Sequence, residues 1–374
     1  MKRWIGYLLC LTMVWLGCPL ATAQQEPSVS AASAVVIDGL SGSVLYEKNA
    51  DEKRSMASTT KIKTTLVALE QGDLTRTITT TKEMVTVEGS GMGLLAGDQI
   101  TLEGLCYGMM LSSGNDAANT VAISLCGSLS AFGDKMNQTA MRLGMNNTHF
   151  VTPSGLDAEH HYSTAYDMAI LTRYALQNPT FCKLASASSA VVYYGNPPYR
   201  RTLTNHNRLL KEYEGCIGVK TGFTKKSGRC LVSAATRNGA TVICVTLAAP
   251  DDWNDHKRLL DYGFSRLEQV TFSPEERSVP LVGGECDSLT VTHGALTVWL
   301  PKEQSNQRRA LWQMSPFLYA PVKKEAQVGS FAVLLDGQPI ASTPLLADGQ
   351  ATVYVPPLTF WQRWQKNLWR LLKI

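Results

Sequence analysis

Ala57-Ser58-Thr59-Thr60-Lys61-Ile62 opens a run, Ser58 to about Gln71, that predicts a helix closed by Gly72-Asp73. It contains the only S-x-x-K of the 374-residue chain. Residues three apart at a helix start share a face one turn apart, so Ser58 and Lys61 meet. A serine hydroxyl is a poor nucleophile unless a base lies within hydrogen-bond reach. A lysine serves as that base only where its ammonium form is disfavoured. The positive end of a helix disfavours it, and so does a second cation. The pair therefore reads as nucleophile and base. Taken alone, it also reads as a helix cap beside a solvated charge.

Two further elements are unique in the chain. Ser113-Gly114-Asn115 is its only S-x-N, set between apolar stretches at 105–110 and 116–126 that predict helices. Its glycine allows a tight turn presenting a hydroxyl and an amide on one side, or simply a capped interhelical turn. Lys220-Thr221-Gly222, the only K-T-G, ends the strand-like Cys216–Val219. A cation and a hydroxyl at a strand edge suit a carboxylate, and a glycine lets substrate backbone approach. Lys220 also supplies the second cation that Lys61 requires. Lys226-Ser227-Gly228 repeats this chemistry but falls in the turn after the strand.

Outward from these elements, Ala34–Tyr46 predicts a hairpin, and further helices are expected at 131–143, 166–177 and 255–267. Strands are expected at 189–194, 215–219, 229–236 and 241–248, read as one meander. This is α+β: a helical cluster on an antiparallel sheet, residues 24–275. From 276 to 355, short alternating stretches broken by Pro and Gly predict a small β domain, with Asp336-Gly337 as a hairpin turn. Residues 356–374 predict an amphipathic helix. Phe360, Trp361, Trp364, Leu368, Leu371, Leu372 and Ile374 share one arc, opposite Gln362, Arg363, Lys366, Arg370 and Lys373. Aromatic and basic residues together suit a membrane surface, through 359–374; packing on the protein's own surface is the alternative.

Residues 1–23 read as an export signal: Lys2-Arg3, an apolar uncharged run, Pro19, then Ala21-Thr22-Ala23. The expected location is the outer face of the cytoplasmic membrane, with a peripheral anchor. Net charge is +4, from 35 basic and 31 acidic residues, too weak an excess for a dedicated nucleic-acid binder. Of nine cysteines, none forms a C-x-x-C, which argues against zinc ribbons, thioredoxin-like centres and c-type haem. Seven remain after signal removal, an odd number that forbids complete pairing, and Cys244 in Thr241–Leu247 reads as a core residue.

Together the three elements resemble those of the penicillin-interacting serine enzymes, and more closely the D-alanyl-D-alanine carboxypeptidases, the low-molecular-mass penicillin-binding proteins. Leu111–Ala118, Asn147–Phe150, His161–Ala169, Gly218–Thr224 and Tyr262-Gly263-Phe264 are similar as well, and the likeness runs from about Ser30 to the C-terminus. It implies a penicillin-binding/β-lactamase-like transpeptidase fold, a peptidoglycan stem peptide as substrate, β-lactams as acylating inhibitors, and no cofactor or metal. Ser58 would attack the penultimate D-Ala carbonyl, Lys61 would take its proton, and Ser113 would pass a proton to the leaving D-Ala. Asn115 would hold substrate backbone. Lys220 and Thr221 would bind the terminal carboxylate, with Gly222 leaving room for substrate backbone. The N–H groups of Ser58 and Phe223 would form the oxyanion hole. A serine β-lactamase shares the motifs, but no E-x-x-L-N follows the S-x-N. A non-catalytic wall-binding protein is the other alternative. The Gly-rich Glu88–Leu94 corresponds to a loop bordering the cleft, and His160 and His161 read as loop residues outside the site.

Overall fold

A computed structural model describes residues 25–371. The expected export signal and Leu372, Lys373 and Ile374 lie outside the described residues. The described residues begin their regular structure with β1 (Ser33–Asp38) and β2 (Val44–Lys48), the expected hairpin. A 3₁₀ turn (Ala57–Thr60) leads into α1 (Lys61–Glu70). Then come β3 (Thr77–Thr79), α2 (Lys82–Val85), β4 (Gln99–Thr101), α3 (Leu102–Leu111), α4 (Asn115–Cys126), α5 (Leu129–Arg142), α6 (Ala165–Ala175) and α7 (Pro179–Ser186). They are followed by β5 (Ser189–Gly195), β6 (Pro198–Thr204), α8 (Leu209–Glu212), β7 (Cys216–Thr224), β8 (Gly228–Arg237), β9 (Ala240–Leu247) and α9 (Asp252–Ser265).

The central sheet is antiparallel, in the order β2-β1-β9-β8-β7. Both of its faces are covered. On β1, Val35 and Ile37 join one core with Leu66, Met109 and Phe132 of the helical cluster, while Ala34 and Val36 join a second core with Leu259 and Leu260 of α9. Strands buried on both faces need apolar residues at every position, which is why β1 and β9 read as continuous apolar runs. Cys244 on β9 is fully buried, and all seven described cysteines are unpaired.

One expectation is corrected here. β5 is not part of the central meander but lies in a separate sheet of order β3-β4-β5-β6. The reason is visible along the strand: Val191 and Tyr193 are exposed while Val192 and Tyr194 are buried. That alternation belongs to a sheet with one wet face, unlike the continuous burial of β8 and β9.

The C-terminal part holds β10 (Leu267–Phe272), β11 (Glu276–Val282), β12 (Ser288–His293), β13 (Leu296–Pro301), β14 (Arg308–Met314), β15 (Leu318–Tyr319), β16 (Gln327–Leu335) and β17 (Gln338–Ala347). β10 pairs with β13, and the other six form a second sheet around a core containing Val291, Phe331, Val333 and Leu345. Asp336 and Gly337 take φ of +50° and +77°, so the Asp-Gly turn joins β16 to β17 as its sequence requires. The described chain ends in α10 (Phe360–Leu371). Its Phe360, Trp361, Trp364 and Trp369 side chains are exposed, and the helix leaves its aromatic face uncovered.

Candidate active site

Ser58 sits in the 3₁₀ turn, where no side-chain cap bond is made, so it is not a capping residue. Ala57 before it has a φ of +49°, an uncommon conformation for a residue with a Cβ. Lys61, the first residue of α1, is fully buried rather than solvated. Its Nζ lies 3.0 Å from Ser58 Oγ and donates to Asn115 Oδ1 at 2.7 Å and to the Ser154 carbonyl at 2.6 Å. Asn115 Oδ1 and the Ser154 oxygen can only accept. A neutral amine gives them its two hydrogens and keeps one lone pair, which points the Ser58 hydroxyl toward donation into it. Burial, and then the positive charge of Lys220, hold Lys61 well below the usual lysine range; Asp116 opposes them weakly.

Ser113 and Asn115 are brought to this point by the α3–α4 junction. Ser113, not Gly114, takes the left-handed conformation, with φ of +57° against −60°. Gly114 is required for space instead: a Cβ there would stand 2.7 Å from Asp116 Oδ1 and 3.2 Å from Met92 N. Both ends of the buried Asn115 amide are engaged, Oδ1 with Lys61 and Nδ2 with the Glu88 carbonyl at 2.7 Å. Holding substrate backbone through Nδ2 requires giving up the Glu88 bond. The Gly-rich segment 88–94 is tied down more firmly than its composition suggests. Asn115 N–H donates to Ser90 O, and the Asp116 carboxylate accepts from the N–H groups of Met92, Gly93 and Leu94.

Lys220, Thr221 and Gly222 lie on β7, the edge strand of the central sheet, which runs against the Ser58 turn. A Cβ on Gly222 would approach Ser58 N to 3.0 Å, so glycine permits this contact. Burial lowers Lys220 to about 7, and its Nζ donates to Thr221 O. Lys226-Ser227-Gly228 does lie in the β7–β8 turn, where Ser227 bonds to Thr224.

Ser58, Ser113, Thr221, Gly222 and Phe223 line one cleft of about 280 Å³, with Ser90, His206, Arg229, Asp252 and Trp253. The last five were not read from the sequence as site residues. Arg229 pairs across the sheet with Phe223, and its Nε donates to Asp252 at 2.9 Å, giving the cleft a permanent guanidinium. Its place three residues beyond Lys226 in an antiparallel hairpin was the available signal. A larger cavity of about 500 Å³, near Arg173 and Trp299, shares no residue with the cleft. His161, read from the sequence as a loop residue, is buried, and its Nε2 lies 3.1 Å from Thr60 Oγ1. Among the described residues no group of three or more His, Cys, Asp or Glu side chains could hold a metal ion.

Residues 20–251 match the model of a family described as D-alanyl-D-alanine carboxypeptidase, and residues 277–352 match the C-terminal domain of penicillin-binding protein 5. The chain is 32% identical over 366 residues to D-alanyl-D-alanine carboxypeptidase DacF of Bacillus subtilis, covering 93% of this chain and 94% of that protein. It is 33% identical to DacC of Escherichia coli, covering 89% and 88%. The crystal structure of DacD from Francisella tularensis superposes with a TM-score of 0.62 at 28% identity, covering 91% of this chain and all of that one. Penicillin binding protein 5 of Haemophilus influenzae gives 0.64 at 28% identity, covering 88% and 99%.

Proposed function

Because this chain belongs to the D-alanyl-D-alanine carboxypeptidases, the low-molecular-mass penicillin-binding proteins, we propose that Ser58 is the nucleophile of its serine-peptidase reaction. The family acts on peptidoglycan stem peptides and is a target of β-lactams. The family match favours the carboxypeptidase over the β-lactamase and the non-catalytic wall-binding protein. One observation carries the assignment of roles: a fully buried amine, Lys61, whose hydrogens are taken by two carbonyl oxygens and whose lone pair is left for the Ser58 hydroxyl.

In this reading the terminal carboxylate lies against Lys220 and Thr221, and its charge favours the ammonium form of Lys220. Arg229 adds a second cation at the lip. The penultimate carbonyl points its oxygen between the N–H groups of Ser58 and Phe223. Lys61 takes the Ser58 proton as Oγ attacks; Ser113 hands its own proton to the departing D-Ala nitrogen and is refilled with the one held by Lys61, which returns that lysine to the free amine. Asn115 keeps Lys61 aligned through Oδ1 and turns Nδ2 from the Glu88 carbonyl to substrate backbone. Water, deprotonated through the same lysine, then hydrolyses the ester and restores Ser58. The test is D-Ala release from a peptide ending in Lys-D-Ala-D-Ala. Release by the wild type and its loss in Ser58→Ala are expected; equal release by Ser58→Ala would exclude these roles.

We further propose that residues 1–23 direct export, that 24–275 form the catalytic domain and 276–355 the small β domain, and that 356–374 anchor the protein on the outer face of the cytoplasmic membrane. The uncovered aromatic face of α10 supports an in-plane anchor, and no described helix is long and apolar enough to cross a membrane. Deleting 359–374 should release the protein from anionic liposomes; undiminished binding would refute the anchor.

A further inference from the structure

His161 carries out no step in the reaction above, yet it is buried one residue's reach from the nucleophile. The backbone N–H of Val151 donates to His161 Nδ1 at 2.9 Å, and that of Thr152 approaches it at 3.3 Å. Nδ1 is therefore the unprotonated nitrogen, and Nε2 carries the hydrogen. That hydrogen goes to Thr60 Oγ1 at 3.1 Å, and the Thr60 hydroxyl in turn donates to the Ala57 carbonyl at 2.8 Å. The relay ends on the peptide joining Ala57 to Ser58.

A peptide is planar, with its C=O and N–H antiparallel. Whatever fixes and polarises the Ala57 oxygen therefore fixes and polarises the Ser58 N–H, the oxyanion-hole donor in the proposed function. The position needs such support, since Ala57 is held at φ of +49°. Space is also closed around that oxygen: a Cβ on Gly155 would stand 1.9 Å from it. The same histidine ties down the segment from Val151 to Gly155, whose Ser154 carbonyl accepts from Lys61 and whose Pro153 carbonyl accepts from Thr64.

We infer that His161 is a positioning residue: through Thr60 and the Ala57 carbonyl it aims the Ser58 N–H at the developing oxyanion. This rests on Ser58 being the nucleophile. The relay acts on the transition state and not on the bound substrate, because the ground-state carbonyl makes weaker demands on the donor.

The experiment uses the exported chain and benzylpenicillin, separating the non-covalent Kd from the first-order acylation constant. Ser58→Ala comes first; acylation persisting in it would fail the nucleophile assignment itself and not the relay. His161→Leu removes the donor, Thr60→Val removes the middle of the relay, and His161→Gln restores an N–H near the Nε2 position. Both disruptive variants should lower the acylation constant by about tenfold to a hundredfold, the size of a misaligned catalytic group, with Kd unchanged. His161→Gln should recover most of the loss, and His161→Leu with Thr60→Val should be no slower than either alone. Acylation at the wild-type rate in folded variants, a glutamine as slow as the leucine, or independent losses that multiply would each overturn the inference. If His161→Leu does not fold, Thr60→Val and His161→Gln decide it.

Discussion

Replacing Asp116 by asparagine keeps the shape of the side chain and removes one acceptor. The wild-type carboxylate is buried and accepts five backbone contacts of 2.8–3.1 Å: Met92 at both oxygens, Ala117 at Oδ1, and Gly93 and Leu94 at Oδ2. An amide has one oxygen. Placed at Oδ1, it leaves the N–H groups of Gly93 and Leu94 facing an NH₂. Placed at Oδ2, it leaves Ala117 facing one and Met92 with half its bond. One or two buried donors are stranded either way, each destabilising by about 1–3 kcal/mol, with bonds to a charged acceptor at the upper end. The loss should be about 2–5 kcal/mol. At about 2–4 °C per kcal/mol for a unit of this size, Tm should fall by roughly 5–15 °C. Calorimetry on residues 24–374 measures this. Hydrogen exchange locates it, because the amides of Met92, Gly93 and Leu94 should lose protection first. A Tm within about 2 °C of wild type, with those amides still protected, would refute the claim that Asp116 clamps the Gly-rich segment.

Other outcomes follow from the same geometry. In the proposed reaction Lys61 must be neutral to act as base and is held below the usual lysine range, while Lys220, at about 7, would bind the carboxylate as an ammonium. The pH profile of kcat/KM should therefore be bell-shaped, failing in acid as Lys61 gains a proton and in alkali as Lys220 loses one; a flat profile between pH 5 and 10 would contradict both roles. Gly155→Ala should abolish acylation by benzylpenicillin, since its Cβ would overlap the Ala57 carbonyl and its φ is +84°; full acylation would mean that the turn carrying Ser58 yields easily. His256 is fully buried between Ser233 and Thr246, and burial lowers it to about 3. The unfolded chain then binds more protons than the native one between about pH 3 and the ordinary histidine range, so stability should be complete above about pH 6.5 and decline as pH falls. Thermal melts of His256→Gln should show a shallower acid decline; an identical one would remove His256 as its source.

The three elements were legible because each needs particular residue types at short spacing. Their identities and order were enough to bring Ser58, Lys61, Ser113 and Lys220 to one candidate site, and the Asp336-Gly337 hairpin was readable for the same local reason. Besides the cleft residues Ser90, His206, Arg229, Asp252 and Trp253, four features escaped. The placement of β5 depends on which face of a strand meets water, and a short run does not declare that before its neighbours are known. Ser113 carries the left-handed turn, and Gly114 is needed instead for space, because Asp116 and Met92 fill the volume its Cβ would occupy. The Gly-rich segment was placed at the cleft, but the acceptor that holds it, Asp116, comes from a helix more than twenty residues away. His161 does lie in a loop, but its burial and its contacts were not legible because its partners, Thr60 and Val151, are remote in sequence or backbone atoms without a side-chain signature.

What the sequence by itself determined is the chemistry: a hydroxyl, two lysines, an amide and a strand carrying a glycine, in a fixed order, on elements whose periodicity is local. What only the tertiary structure decided is the state of those groups. Lys61 is held below the usual lysine range, as the proposed base must be, because folding removes it from water and sets Lys220 near it. Desolvation and the repulsion between two buried cations are properties of the assembled core, and no spacing along the chain encodes them.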